Sequence, residues 1–169
     1  CHATLQPEVL AELPGVSGVV PNSDKDGIAR RVEAWAAGRP GAAAHGEPGA
    51  FPTAEAHSPP PFLPVPGRTR AFVKVQDGCD QRCGFCVTRV ARGPARSRHR
   101  ADILEEVRAL LAAGFREVVL TGVQLGAYGR DSGRRHGLAE LIRALLDRPQ
   151  DFRLRLSSLE PWDLDLAFF

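Results

Sequence analysis

Arg70-Ala71-Phe72-Val73-Lys74-Val75-Gln76-Asp77-Gly78-Cys79-Asp80-Gln81-Arg82-Cys83-Gly84-Phe85-Cys86 runs an alternating segment straight into three cysteines. The alternation over 70–76 predicts a strand, and the cysteines fall on the loop that follows it. They are spaced C-x₃-C-x₂-C, with an aromatic just before the last. Three thiolates so spaced can hold three corners of a cubane iron–sulfur cluster and leave the fourth iron open for chemistry. The other reading is a structural zinc site, in which His99 completes three thiolates with an imidazole. Zinc ligands are usually split into two pairs across an intervening element, and no second pair follows here. No fourth cysteine lies nearby, which disfavours plain electron transfer.

Downstream, two periodicities alternate. Residues 101–113 place Ile103, Leu104, Val107, Leu110 and Leu111 on one helical face, with Gly114 as the stop signal. Residues 117–120 form an apolar strand ending at Thr121-Gly122. Residues 138–146 repeat the helical pattern with Leu138, Leu141, Ile142 and Leu145 inward, and 152–156 give a third strand ending at Ser157-Ser158. Strand, helix, strand, helix, strand means βα units and a parallel sheet. In such folds chemistry collects at the C-terminal ends of the strands. The cysteine loop, Thr121-Gly122-Val123-Gln124 and Ser157-Ser158-Leu159-Glu160 all fall there.

Upstream, the fold is predicted to be a separate α/β piece over 1–37. A short helix is expected at 7–13 and a buried strand at 16–20. Asn22 or Ser23 is expected to cap a helix whose Ile28, Val32 and Trp35 share a face. Residues 38–66, with Gly-Arg-Pro-Gly-Ala-Ala-Ala and Ser58-Pro59-Pro60-Pro61, have the composition of a semi-rigid linker. The regular α/β pattern occupies 67–169. Net charge is +2 and 43% of residues are hydrophobic, so composition indicates a globular protein without a preferred charged partner. Four cysteines, three of them within 79–86, do not make a disulfide framework; a reduced, cytoplasmic setting is expected. No signal peptide and no membrane-spanning run is visible. The sequence lacks methionine and opens on Cys1, so it reads as a fragment of a longer protein.

C-x₃-C-x₂-C after a first strand resembles the signature of radical S-adenosylmethionine (SAM) enzymes. Within them, Val75-Gln76-Asp77-Gly78-Cys79, Ala91-Arg92-Gly93-Pro94, Ser97-Arg98 and Leu156-Ser157-Ser158-Leu159-Glu160-Pro161 resemble the methylthiotransferases. Leu120-Thr121-Gly122-Val123-Gln124-Leu125-Gly126-Ala127-Tyr128-Gly129 is most similar to the branch acting on N6-threonylcarbamoyladenosine beside the tRNA anticodon. The resemblance covers nearly all of 67–169. It implies an α/β fold, a partial radical SAM (β/α)6 barrel preceded by the C-terminal remnant of a methylthiotransferase N-terminal domain. Cys1-His2-Ala3 looks like the end of that domain's cysteine segment, with His2 in place of the usual tyrosine.

The resemblance implies site residues and cofactors. Cys79, Cys83 and Cys86 would hold the SAM-binding 4Fe-4S cluster. Cys1 would be one ligand of a second 4Fe-4S cluster whose other two ligands are missing. Phe85 would lie near the SAM adenine or else pack the loop. Thr121 and Gly122 would meet the SAM amino group or form a plain strand–loop turn. Ser157 and Glu160 would reach SAM, unless Glu160 is only a helix-start acid. Between Asp80 and Asp102 there is no acid but there are six arginines, which is ordinarily a solvated loop. Here Arg92, Arg96 and Arg98 are candidates for RNA phosphate or the SAM carboxylate, both of which suit a guanidinium fork. Implied partners are the tRNA anticodon loop, SAM and a reducing electron donor. The expected reaction adds a methylthio group at C2 of the modified adenosine. The alternatives are isopentenyladenosine in tRNA, a ribosomal-protein aspartate, or a non-enzymatic zinc-stabilised RNA-binding module. A fragment holding three of six expected barrel strands is predicted to be inactive alone.

Overall fold

The computed structural model describes residues 2–38, 69–147, 151–157, 159–164 and 168. Cys1, Ser158 and nearly all of the expected linker lie outside the described residues. The chain divides into two compact units, Cys1–Thr53 with Asp80–Gly93, and Ala54–Cys79 with Pro94–Phe169.

The first unit is helical. It contains α1 (His2–Leu5), α2 (Pro7–Ala11), α3 (Ile28–Ala36) and α4 (Thr88–Arg92). Pro7 opens α2, where its missing N–H costs nothing. The strand expected at 16–20 does not form. A strand must give its N–H and C=O groups to a neighbour, and among the described residues no strand flanks this one. Only Val19 is buried there, while Val16 is exposed. The expected capping by Asn22 or Ser23 is also corrected. Both lie inside a 3-10 turn, Asn22–Gly27, and α3 starts after Gly27 with no side-chain cap. The Asn22 N–H donates instead to Thr4 Oγ1 at 2.9 Å, tying the turn to α1. Ile28, Val32 and Trp35 do share a face, but they are 50%, 55% and 57% exposed.

The second unit holds β1 (Arg70–Lys74), β2 (Gln76–Asp77), β3 (Arg96–Ser97), α5 (Arg100–Ala112), β4 (Glu117–Thr121), α6 (Gly137–Leu146) and β5 (Arg153–Leu156). Strands β1, β4 and β5 form an open parallel sheet in the order β1-β4-β5. β2 and β3 make a separate antiparallel pair, and Gln76 of β2 falls within the single strand that the alternation predicts over 70–76. Alternation sends Ala71 and Val73 of β1 to the helix-covered face, where they meet Val118 and Leu120 of β4. Helix α5 adds Ile103, Val107, Leu110 and Leu111, and α6 adds Leu138, Leu141 and Leu145. Each such side chain contributes about 1.5–3 kcal/mol when fully buried. The inward residues of both helices are those their spacing predicted.

Gly114 stops α5 at φ +95°, a value an L side chain rarely adopts. Its N–H reaches Leu111 O at 3.0 Å and the Phe115 N–H reaches Leu110 O at 3.1 Å, the paired bonds of a Schellman cap. Phe115 then turns into the core. On the opposite sheet face Glu117 sits between two guanidinium groups, Arg70 at 2.9 Å and Arg155 at 2.8 Å. Partial burial pushes its carboxyl up, but the hydrogen bonds from Arg155 and Arg70 and their charges win and hold it below the usual carboxylate range. The register pairs Lys74 with Thr121 and Leu120 with Leu156, so the three strand ends lie at one edge.

Candidate active-site loops and the cysteine motif

Gln76 organises the edge of the second unit. It is 1% exposed, and all of its amide is used. Nε2 donates to Asp77 O at 3.0 Å and Gly78 O at 2.8 Å, the two carbonyls preceding Cys79. Oε1 accepts the backbone N–H of Gln124 at 2.9 Å. One side chain thus ties the start of the cysteine loop to the loop after β4. The glycine at 122 follows from this contact. A Cβ there would stand 3.0 Å from Gln76 Oε1 and 3.3 Å from Leu125 Cα.

Gln124 extends the connection. Cys79 Sγ–H donates to its Oε1 at 3.4 Å, and its Nε2 faces Asp163 Oδ2 at 3.5 Å. The Asp163 side chain is wholly buried and pairs with Arg130 at 2.8 Å. Gly126 leaves the space for it, since a methyl at 126 would overlap the Asp163 side chain. Gln76, Gln124, Arg130 and Asp163 were given no role from sequence. For the two glutamines the signal available was Gln76 at the end of the alternating run 70–76 and Gln124 in the loop after β4, both inside segments already singled out as motifs.

The Thr121 hydroxyl at the end of β4 donates to Val73 O of the neighbouring strand β1 at 3.3 Å. The Ser157 N–H donates to Leu120 O at 3.2 Å, continuing the ladder of β4 and β5. Glu160 is exposed and precedes the 3-10 turn Pro161–Asp163 without capping it through its side chain. Arg98 is engaged structurally: its Nη1 donates to Lys74 O at 2.9 Å and pairs with Glu106 at 2.7 Å. Arg96 lies in β3 opposite Asp77. The neighbouring Ser97 binds Asp131 through its N–H at 2.7 Å and its hydroxyl at 2.6 Å. The Tyr128 hydroxyl donates to Arg98 O at 3.0 Å. Burial raises its pKa, against the lowering charges of Arg134 and Arg100.

Cys83, Cys86, Phe85 and Arg92 belong to the first unit. Phe85 is 99% exposed, so it does not pack the loop. Cys86 Sγ lies 3.2 Å from Thr88 Oγ1. The Thr88 hydroxyl and then its backbone N–H hold the Cys86 thiol below its ordinary pKa. None of Cys79, Cys83 and Cys86 is in a disulfide. Thiols without disulfide partners, two of them exposed, are the donor chemistry an iron–sulfur cluster takes. Among the described residues, no three His, Cys, Asp or Glu side chains are gathered so as to hold a metal ion. Arg92 closes α4. No helix among the described residues is long and apolar enough to cross a membrane.

The family model described as the Radical SAM superfamily matches residues 73–165, more than half of the chain. The threonylcarbamoyladenosine tRNA methylthiotransferase MtaB of Thermotoga maritima is 43% identical over 99 residues, covering 58% of this chain and 22% of the relative. The protein of that name from Aquifex aeolicus is 36% identical over 165 residues, covering 98% of this chain and 39% of the relative. The ribosomal protein uS12 methylthiotransferase RimO of Desulfotalea psychrophila is 44% identical over 95 residues, covering 56% and 21%. The chain therefore spans between about a fifth and two fifths of the length of these curated relatives. A superfamily match across β1 to the segment after β5, joined to relatives named as methylthiotransferases, places this chain in the radical SAM superfamily, whose members use a 4Fe-4S cluster and SAM.

Proposed function

We propose that this chain is the SAM-cleaving part of a tRNA methylthiotransferase acting at C2 of N6-threonylcarbamoyladenosine beside the anticodon. The observation that carries the reading is the three-cysteine motif that follows the parallel strand β1 and the short β2, inside the superfamily match. Superfamily membership is also what favours a cluster over a zinc site completed by His99. Cys79, Cys83 and Cys86 would hold the cluster, whose bound chemistry is one-electron cleavage of SAM to a 5′-deoxyadenosyl radical. The exposed loop 80–87 fits a site that its metal gathers on binding, since thiolate loops commonly order only with the ion in place.

The chain's own residues would orient SAM and keep water from it. Thr121, Gly122, Ser157 and Glu160 occupy or follow the strand-end edge where SAM is expected. Phe85 is free to meet its adenine. Arg92, Arg96 and Arg98 would offer charge to RNA or to the SAM carboxylate, although the contacts of Arg98 to Glu106 and Lys74 favour a structural role. Residues 1–37 would be the remnant of the N-terminal domain, with Cys1 a ligand of the second cluster, 38–66 a linker and 67–169 the first half of a barrel. A base in a single-stranded anticodon loop can be presented without melting a duplex. The likeness to a ribosomal-protein methylthiotransferase supports a protein aspartate as the second reading.

The test is anaerobic reconstitution of this chain with iron and sulfide. The expected result is bound iron and sulfide, SAM binding, and loss of the cluster when Cys79, Cys83 or Cys86 is replaced by Ala. The 169-residue chain alone is expected not to methylthiolate tRNA. One tight zinc per chain with no response to SAM would overturn the reading.

A further inference from the structure

Cys79 is held differently from the other cysteines of its motif. It is half-buried, whereas Cys83 and Cys86 are exposed. Its sulfur meets a side chain 45 residues away, Gln124 Oε1 at 3.4 Å. Resting on the cluster reading above, we propose that Gln124 is a positioning residue for Cys79, orienting its sulfur as a ligand and supplying it with a hydrogen bond.

The site is built at both ends of the Gln124 side chain. At the near end, Gln76 Oε1 fixes the Gln124 backbone N–H at 2.9 Å. The same Gln76 holds the carbonyls of Asp77 and Gly78, so one buried amide sets the spacing between the Cys79 backbone and Gln124. At the far end, Gln124 Nε2 faces Asp163, itself buried and paired with Arg130. The residues that would block these contacts, at 122 and 126, are glycines.

With its proton in place, Cys79 donates to the amide oxygen. A ligand sulfur has no proton to give and only accepts. An amide exchanged end for end keeps its heavy atoms where they are and presents N–H in place of C=O. At the far end the exchange gives up a contact to Asp163 that at 3.5 Å is already long for a hydrogen bond, and sets the amide oxygen against a carboxylate whose charge Arg130 neutralises. Asp163 keeps Arg130. Gln124 can therefore serve the sulfur in both states, and a hydrogen bond donated to a ligand sulfur favours the reduced cluster and raises its potential.

The experiment uses the chain with and without reconstitution. In the metal-free chain, iodoacetamide labelling is read at each cysteine by peptide mass spectrometry. Gln124→Leu should speed labelling of Cys79 by about 3–10-fold, the rate equivalent of one hydrogen bond, and leave Cys83 and Cys86 nearly unchanged. Gln124→Glu keeps an acceptor for the Cys79 thiol but sets a carboxylate beside it, which disfavours the thiolate, so its metal-free labelling should be slower than wild type; a variant that failed to fold would label faster, so the direction separates the two. In the reconstituted chain, neither leucine nor glutamate can donate, so both should lower the midpoint potential in a titration followed by electron paramagnetic resonance. Unchanged Cys79 labelling in a folded Gln124→Leu chain overturns the proposal, as does an unshifted potential. If no cluster forms on the wild-type chain while leucine still exposes Cys79 selectively, the cluster reading fails and the Gln124–Cys79 contact stands.

Discussion

Replacing Gln76 by leucine tests the connection between the two loops most directly. Leucine nearly matches glutamine in volume, so the main loss is polar, not a cavity. Three contacts are lost at once: those to the Gln124 N–H at 2.9 Å, to Asp77 O at 3.0 Å and to Gly78 O at 2.8 Å. Asp77 stays paired with Arg96 across β2 and β3, so the cost falls on the Gln124 N–H and Gly78 O. Both residues are buried, and a buried group left unpaired costs about 1–3 kcal/mol, with a carbonyl at the lower end because it has a second lone pair. The gross cost is therefore about 2–4 kcal/mol, and leucine returns about 1–2 kcal/mol by burying apolar surface in place of an amide. The net expectation is a loss of about 1–2 kcal/mol. Urea unfolding followed by far-UV circular dichroism reads it as a lower midpoint at unchanged slope. Phe72→Leu, on the exposed face of β1, is the control and should cost under about 0.5 kcal/mol. A Gln76→Leu chain within that same margin would refute the claim that this amide ties the loops together.

Three further outcomes are expected. Glu117 has its pKa depressed by Arg155 and Arg70, so its contribution to stability is present above its ordinary value of 4.5 and is lost as pH falls below that. Glu117→Gln should be less stable at neutral pH and flatter through the acid range, as read from unfolding midpoints across pH. Gly126→Ala forces a methyl into the space of Asp163 and should cost about 1–3 kcal/mol in thermal or urea unfolding. Arg98→Met leaves the Glu106 carboxylate, about nine-tenths buried, without its cation and should cost about 1–3 kcal/mol. If Arg98→Met left stability untouched but weakened RNA binding, the nucleic-acid role of Arg98 would be restored.

Period-bearing features were legible in the sequence. The inward faces of α5 and α6, the stop at Gly114 and the three parallel strands follow from spacing and stop signals that act within a few residues. The 16–20 segment was not, because an apolar run specifies burial only when something flanks it, and there only Val19 is covered. The face made by Ile28, Val32 and Trp35 failed to bury for the same reason: amphipathicity predicts a face, not its partner. In the site, the cysteines were legible because chemistry fixes their spacing. Gln76, Gln124 and Asp163 were not, because what matters about each is a partner lying 37 to 48 residues away in the chain, or the absence of a Cβ across from it. The Arg98–Glu106 ion pair was not legible either, because charge alone does not show which acid a guanidinium meets.

Strand β4 has a neighbour on each side, and Val118, Val119 and Leu120 are buried on both faces. Its amides can exchange with solvent deuterium only when the sheet itself opens, so they should report the global free energy of unfolding. Among the described residues, the strands β1 and β5 each keep one edge without a strand partner and should exchange sooner. Residues 80–87, exposed throughout, should exchange almost at once. Deuterium uptake would therefore rank the chain by time, with the loop bearing Thr121 and Gly122 anchored to its slowest element and the segment bearing Cys83 and Cys86 among its fastest.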